Sequence, residues 1–470
     1  MSQAAFPIDP GDMPALKRWL ASQDDPQVVL RPVDIDEIII GPDALLELPP
    51  VLRRAGMPAG APVLVVADET PISREGQDLK PLVQALLKDA GYQVRMLWLK
   101  GDAYGLVHAD DEQVERVRTA LAPGMALVAV GSGTVTDIAK HASYLYDQQR
   151  PQQPRSVYIC CPTASSVTAY AASMAVLLRD GVKRTVPSRY PTAILADLRT
   201  LAGAPHAMSA AGVGDCCARF VAYGDWYLAG ALGLVDCYSE VPLALLRNLE
   251  TILLEHARAI GQGTHEGAAV LARAVLLAGI AQSIVNMSAP VSGTEHVISH
   301  VLDMIAGYYQ RRLALHGAQV GVATITAARL YQRFLERFDP ATIVIDACYP
   351  QEAEMEAFIQ RLFLPIDPGG AMARECWNDY RQKLARWQRS RSHFERFCAD
   401  WQARHRPALS ALVSRPESVR RILQDAGAPL TCEELEPPIS RQEYEFAVRN
   451  GHFIRSRFVL ADLLYFIGWE

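Results

Sequence analysis

Three polar insertions break the small, apolar sequence of the second half of the chain. Asp215 closes Ala211-Gly212-Val213-Gly214-Asp215, His296 closes Ser292-Gly293-Thr294-Glu295-His296 with His300 following, and His316 stands in Leu315-His316-Gly317. One carboxylate and two imidazoles suit Zn²⁺, and also Ni²⁺ or Fe²⁺. Three protein ligands leave a coordination position open, as a catalytic ion requires. His296 and His300 lie four apart, so on a helix they share a face and can enter one pocket. Spacing alone does not join them to Asp215, which stands far ahead of both.

A second group lies in the first half. Gly131, Ser132, Gly133 and Thr134 fall between an apolar run at 125–130 and a helical pattern at 135–146. Glycines there let backbone approach a pyrophosphate, and a helix N-terminus offers free N–H groups and a positive dipole. The alternative is a simple tight turn with Thr134 or Thr136 as the helix cap. Asp68 follows the apolar run at 62–67, where an acidic residue can accept from an adenosine ribose 2′-OH and repel a 2′-phosphate; equally, it can be a solvated turn residue. The acidic strand end precedes the glycines, the reverse of the usual dinucleotide fingerprint, which points to a different nucleotide fold or none.

The elements that must position these groups form two regimes. Apolar runs at 62–67, 93–99, 125–130 and 156–160 alternate with helical patterns at 79–90, 111–122 and 135–146, a rhythm that predicts a parallel sheet covered by helices. A hairpin follows at 174–186, turned by Asp180-Gly181, which supplies the positive φ such turns require, and a last strand at 193–196. From Pro205 onward nearly everything reads as helix, including amphipathic stretches at 377–391 and 394–404. This divides the chain into an N-terminal extension (1–30), an α/β nucleotide-binding half (31–204) and a helical half (205–470).

Composition excludes some roles. The 470 residues carry a formal net charge of −6 and no basic run, so nucleic acid and anionic membrane are poor partners; small molecules and copies of itself, as a homo-oligomer, are better. Nine scattered cysteines without a CxxC pattern fit a reducing compartment. The opening residues show no basic or apolar leader pattern, so a cytoplasmic location is expected. The uncharged stretches 156–178 and 274–294 contain proline and several polar residues, and read as buried core rather than membrane spans.

The segments GSGTVTDIAK, CPTASS, RDGVKRTVP, AILADL, AAGVGDCCAR, SGTEHVISHVLD, LHGAQVGVATI and the closing IRSRFVLADLLYFIGW occur in the order seen in sn-glycerol-1-phosphate dehydrogenases. The chain resembles that family, part of the wider iron-alcohol-dehydrogenase and dehydroquinate-synthase superfamily, from about residue 35 to the end. The resemblance implies a Rossmann-like domain followed by an all-α one. It implies Asp215, His296 and His316 as metal ligands, usually for zinc. It also implies that Gly131, Ser132, Gly133, Thr134 and Val135 hold the pyrophosphate of NAD(P)H, that Thr163 and Ser166 touch the cofactor, and that His300 faces substrate and relays a proton. Arg219 stands where longer relatives place another ligand histidine, which favours three ligands. Two positions depart from the family: its substrate-contacting aspartate falls on Thr168, and an arginine before P-x-S-G falls on Ala289. Unless Lys183 or Arg184 compensates, dihydroxyacetone phosphate should be handled weakly. A sister dehydrogenase for another hydroxy or keto compound, a cyclase and a non-catalytic nucleotide binder are the alternatives.

Overall fold

A computed structural model describes residues 4–179 and 182–469. Six strands form one parallel sheet: β1 (Glu37–Gly41), β2 (Pro62–Ala67), β3 (Gln93–Trp98), β4 (Ala126–Gly131), β5 (Tyr158–Pro162) and β8 (Ala193–Asp197). Their order is β1-β8-β5-β4-β2-β3, with every neighbouring pair parallel. β2, β4, β5 and β8 are buried along almost their whole length, which is why they read as continuous apolar runs. β1 was not legible: its Glu-Ile-Ile-Ile-Gly run lies next to β8, at one edge.

Besides a short antiparallel pair at Ser73–Arg74 and Gln77–Asp78, two longer strands, β6 (Met174–Arg179) and β7 (Val182–Pro187), make a separate antiparallel hairpin. The Asp180-Gly181 turn expected between them lies outside the described residues. β7 touches the helical half: Arg184 Nη groups bond Asp379 and Glu375 on the Ala371–Arg389 helix, and Lys183 Nζ lies 2.7 Å from Asp303.

After Asp197 the described residues contain helices and connections only. Two helices matter most for the site, α1 (His206–Cys217) and α2 (His316–Arg337), which pack along one another with glycines at the crossing. A third, α3 (Thr294–Tyr308), lies against α2. Among the described residues one helix is long and apolar enough to cross a membrane, His265–Ile284, and 83% of its apolar window is buried inside the protein. The N-terminal segment is tied to the same half. Met13, Leu16 and Leu20 join the main core, Arg31 N donates to Ile284 O, and Arg273 pairs with Asp9.

Candidate functional site

The glycine loop sits at the carboxyl edge of the sheet, where β4 ends at Gly131. A Cβ on Gly131 would meet Val135 at 2.5 Å, and one on Gly133 would meet Val167 Cγ2 at 2.4 Å. The helix begins at Gly133, two residues earlier than the periodicity predicts. Its N-cap is Ser132, in extended conformation, and no side chain caps it. The alternative of a plain turn capped by Thr134 or Thr136 does not fit, since both are already inside the helix. The first turn keeps its N–H groups for an incoming anion, so the residues fit a pyrophosphate.

Residues 163–168 bridge this loop to the helical half. Thr163 N donates to Gly131 O, Ser166 Oγ lies 3.4 Å from Tyr170 Oη, and Thr163 and Ser166 are both buried. At the far end Thr168 N donates to Asp215 Oδ2 at 2.8 Å. The departure at Thr168 thus concerns its side chain alone, because its backbone already holds a candidate ligand.

Asp215, His296 and His316 come together: one ligand atom from each lies within 4.8 Å of the others. His296 Nε2 is 3.5 Å and His316 Nε2 4.0 Å from Asp215 Oδ1. Glycines permit this. A Cβ on Gly214 would fall 2.1 Å from Gly317 O, and one on Gly317 2.1 Å from Ala211 O, so α1 and α2 meet backbone to backbone beside Asp215 and His316.

The outward nitrogens are held as well. His296 Nδ1 is 2.8 Å from Glu295 Oε1, and His316 Nδ1 is 3.0 Å from Ser299 Oγ, which in turn donates to Gln319 Oε1. This leaves both Nε2 atoms facing Asp215 Oδ1, itself buried without a hydrogen-bond partner among the described residues. Such an orphaned carboxylate oxygen between two imidazoles fits a divalent ion, with partners orienting the ligands.

Charge distribution agrees. Burial opposes ionisation of Asp215, but the two facing imidazoles, His296 foremost, and the Thr168 N–H win and hold it below the usual range. Burial likewise opposes charge on His296, yet Asp215 and Glu295 hold it up to about 9. Burial and Lys183 push His316 down to about 3.

His300 is beside this group rather than in it. Its ring lies 5.7 Å from that of His316, stacked, and 6.2 Å from that of His296. Its Nδ1 is buried without a partner. Burial and Arg455 drive it well below the ordinary histidine range. Arg455 donates to Lys183 O, and burial with the neighbouring Arg184 lowers it to about 10. Among the described residues it forms no ion pair.

Two expectations about compensating charge separate here. Arg184 is tied up by Glu375 and Asp379, and Lys183 by Asp303, although the Lys183 charge is still felt at His300 and His316. Ala289 is buried. The residues flanking it are gripped by Arg457, whose guanidinium bonds Ser288 Oγ and Ser292 O and Oγ, the last at 2.7 Å. Arg219 stacks on Phe220 and Tyr223 and offers nothing to the ligand group. Asp225 was also missed: it accepts from Thr294 N and Oγ1, Tyr331 Oη and Leu460 N, pinning the start of α3 to the C-terminal helix. Asp68 pairs with Lys80 at the far side of the glycine loop.

Known structures share this architecture. An alcohol dehydrogenase from Oenococcus oeni aligns over 92% of this chain and 97% of its own, with a TM-score of 0.54 at 16% identity. The Red Sea brine pool alcohol dehydrogenase, archaeal and halo-thermophilic, aligns over 95% and 99%, with a TM-score of 0.52 at 15% identity. Residues 39–205 match the iron-containing alcohol dehydrogenase family. The class is that of metal-dependent NAD(P) dehydrogenases.

Closer sequence relatives narrow it. Glycerol-1-phosphate dehydrogenase [NAD(P)+] of Halalkalibacterium halodurans is 32% identical over 301 residues, 64% of this chain and 71% of that one. The protein of the same name from Pyrococcus furiosus is 32% identical over 63% of this chain and 78% of its own. That from Geobacillus stearothermophilus is 27% identical over 93% of each. The chain belongs to the glycerol-1-phosphate dehydrogenase family.

Proposed function

We propose that this chain reduces dihydroxyacetone phosphate to sn-glycerol 1-phosphate with NAD(P)H, using one zinc ion held by Asp215, His296 and His316. The observation that carries this is the convergence of those three residues on one unsatisfied carboxylate oxygen, with Lys183 and Arg455 beside them. The cofactor belongs to the α/β half (31–204), its pyrophosphate on the first-turn N–H groups of Gly133, Thr134 and Val135 and its length passing Thr163 and Ser166. The metal belongs to the helical half (205–470).

A divalent ion in this site supplies Lewis-acid chemistry, drawing charge from the substrate oxygen. The chain's own residues do the rest. Glu295 and Ser299 fix the two imidazoles so that both Nε2 atoms face inward. Lys183, paired with Asp303, keeps its ammonium close enough to be felt at His300 and His316, a position for a phosphate oxygen, and Arg455 adds a guanidinium that forms no ion pair among the described residues. His300, kept neutral by burial and nearby cations, can relay a proton by gaining one at one ring nitrogen as it loses one at the other, without resting as the cation. The loop from Thr163 to Thr168 touches both glycine loop and Asp215, so it holds nicotinamide and substrate in register.

Thr168 supports a second reading, a sister dehydrogenase for another small hydroxy or keto compound, since a hydroxyl grips substrate hydroxyls less firmly than a carboxylate. Steady-state oxidation of NADH and NADPH by zinc-loaded protein decides between them. A kcat/KM on dihydroxyacetone phosphate of about 10⁴ M⁻¹s⁻¹ or more is expected. A preference for an unphosphorylated ketone would favour the second reading, and no turnover with any carbonyl would defeat both. A cytoplasmic homo-oligomer remains part of the proposal.

A further inference from the structure

The carboxyl edge of the sheet carries an ion pair that the chemistry above does not use. Lys80 Nζ lies 3.1 Å from Asp68 Oδ1 and also donates to the carbonyl oxygens of Asp68 and Thr70. The Lys80 side chain is 8% exposed and that of Asp68 16%, so the pair is largely withdrawn from water. The ammonium also sits 5.5 Å from the centre of the Trp98 ring, and that ring, at the end of β3, is 40% exposed.

Position gives the pair its meaning. β2 lies between β3 and β4, so Asp68 and Trp98 stand beside the glycine loop at the same carboxyl edge. A dinucleotide with its pyrophosphate on that loop extends its adenosine toward the neighbouring strand ends. A lone aspartate there would accept from a ribose 2′-OH and repel a 2′-phosphate. Asp68 is not alone: Thr70 N donates to Oδ1 at 3.2 Å, and Lys80 cancels its charge at contact. Two carbonyl oxygens anchor the ammonium independently of the carboxylate, so it stays in place when a second anion arrives.

We propose that Lys80 is the specificity-determining residue of the adenosine site: by neutralising Asp68 it admits a 2′-phosphate, so the chain binds NADPH as well as NADH. This rests on the reading that the cofactor crosses this edge. Lys80→Met keeps a side chain of similar length and removes the charge together with its bonds to the Asp68 and Thr70 carbonyl oxygens.

Calorimetric titration of the full-length protein with ADP and with 2′,5′-ADP tests this without metal or turnover. The wild type should bind both within about tenfold of each other. Lys80→Met should weaken 2′,5′-ADP by about tenfold or more, and ADP by less than about threefold, with the difference shrinking at high salt. Asp68→Asn in the Lys80→Met background should restore 2′,5′-ADP. Asp68→Asn alone leaves the ammonium unopposed and should strengthen 2′,5′-ADP by about tenfold; Lys80→Gln, which keeps a donor for the carbonyl oxygens, should repeat the loss seen in Lys80→Met and decides the matter if Lys80→Met fails to fold. An unchanged 2′,5′-ADP affinity in Asp68→Asn, or an equal loss of both ligands in a folded Lys80→Met or Lys80→Gln, would reduce Lys80 to a turn brace and overturn the proposal. A wild type that binds ADP but refuses 2′,5′-ADP overturns it too. A wild type that binds neither overturns the placement of the cofactor as well.

Discussion

Replacing Gly214 with alanine should empty the metal site while leaving the protein folded. A Cβ there would lie 2.1 Å from Gly317 O and 3.2 Å from Gly321 Cα, whereas real Cβ atoms essentially never come closer than 3.0 Å. Both obstacles are backbone, so no side chain can swing aside, and α1 and α2 must part by about 1 Å. Asp215 and His316 are the residues adjoining the two glycines, and their facing atoms are only 4.0 Å apart, so the shift passes to the ligands nearly undiminished. Ligand distances tolerate about 0.2 Å. Overpacking costs about 1–3 kcal/mol, partly offset by the helix preference of alanine over glycine, about 1 kcal/mol. The variant should therefore melt a few degrees lower, keep its circular dichroism, and lose about tenfold or more in zinc affinity measured against a competing chelator. Gly317→Ala should behave alike, meeting Ala211 O instead. Wild-type zinc content and affinity in a folded Gly214→Ala would show that the crossing relaxes without moving the ligands, and that helix spacing does not set the site.

Elemental analysis should find about one divalent ion per chain, and His316→Ala should lose most of it. Because His296 is held up to about 9 in the ion-free state, ligation must displace its proton. Below that pH, affinity should fall about tenfold per unit, and calorimetry in two buffers of different ionisation enthalpy should show about one proton released at pH 8. Lys183→Ala removes one charged hydrogen bond worth about 1.5–3 kcal/mol. It should raise KM for dihydroxyacetone phosphate about tenfold or more, with little change for dihydroxyacetone itself; equal effects on both would detach Lys183 from the phosphate. Ala289→Arg buries a second guanidinium where Arg457 already grips Ser288 and Ser292, and should lower the melting temperature; an unchanged melt would mean that the loop has room to spare.

Period and composition revealed the parallel sheet, the hairpin and the helical second half because each regime repeats over many residues. The ligand residues stood out because charged and imidazole side chains are conspicuous in small, apolar sequence. What joins them was not legible, since proximity of Asp215 to the histidines depends on two helices crossing at glycines far apart in the chain. The same holds for the groups that tune the site: Glu295 and Ser299 look like ordinary helix residues, and Arg455 and Arg457 come from the last turns of the sequence. Asp68 was visible as an acidic strand end. Its compensation by Lys80 was hidden, because nothing in a linear reading shows that a lysine twelve positions on folds back. The helix start falls two residues before the one that periodicity marks for a local reason, as glycine has poor helix propensity yet begins the helix where close approach to Val167 excludes any side chain.

The β6–β7 hairpin is attached to the sheet's half of the chain, yet its two neighbouring cations reach different helices. Arg184 moors the hairpin to the Ala371–Arg389 helix, and Lys183 to Asp303 on α3, the helix that also carries His296 and His300. One strand outside the sheet therefore has two anchors on two different helices, and only one of those helices belongs to the Asp215–His296–His316 group. Changing Lys183 while keeping Arg184 is thus a way to alter the surroundings of that group without touching the sheet, the glycine loop or the three residues themselves.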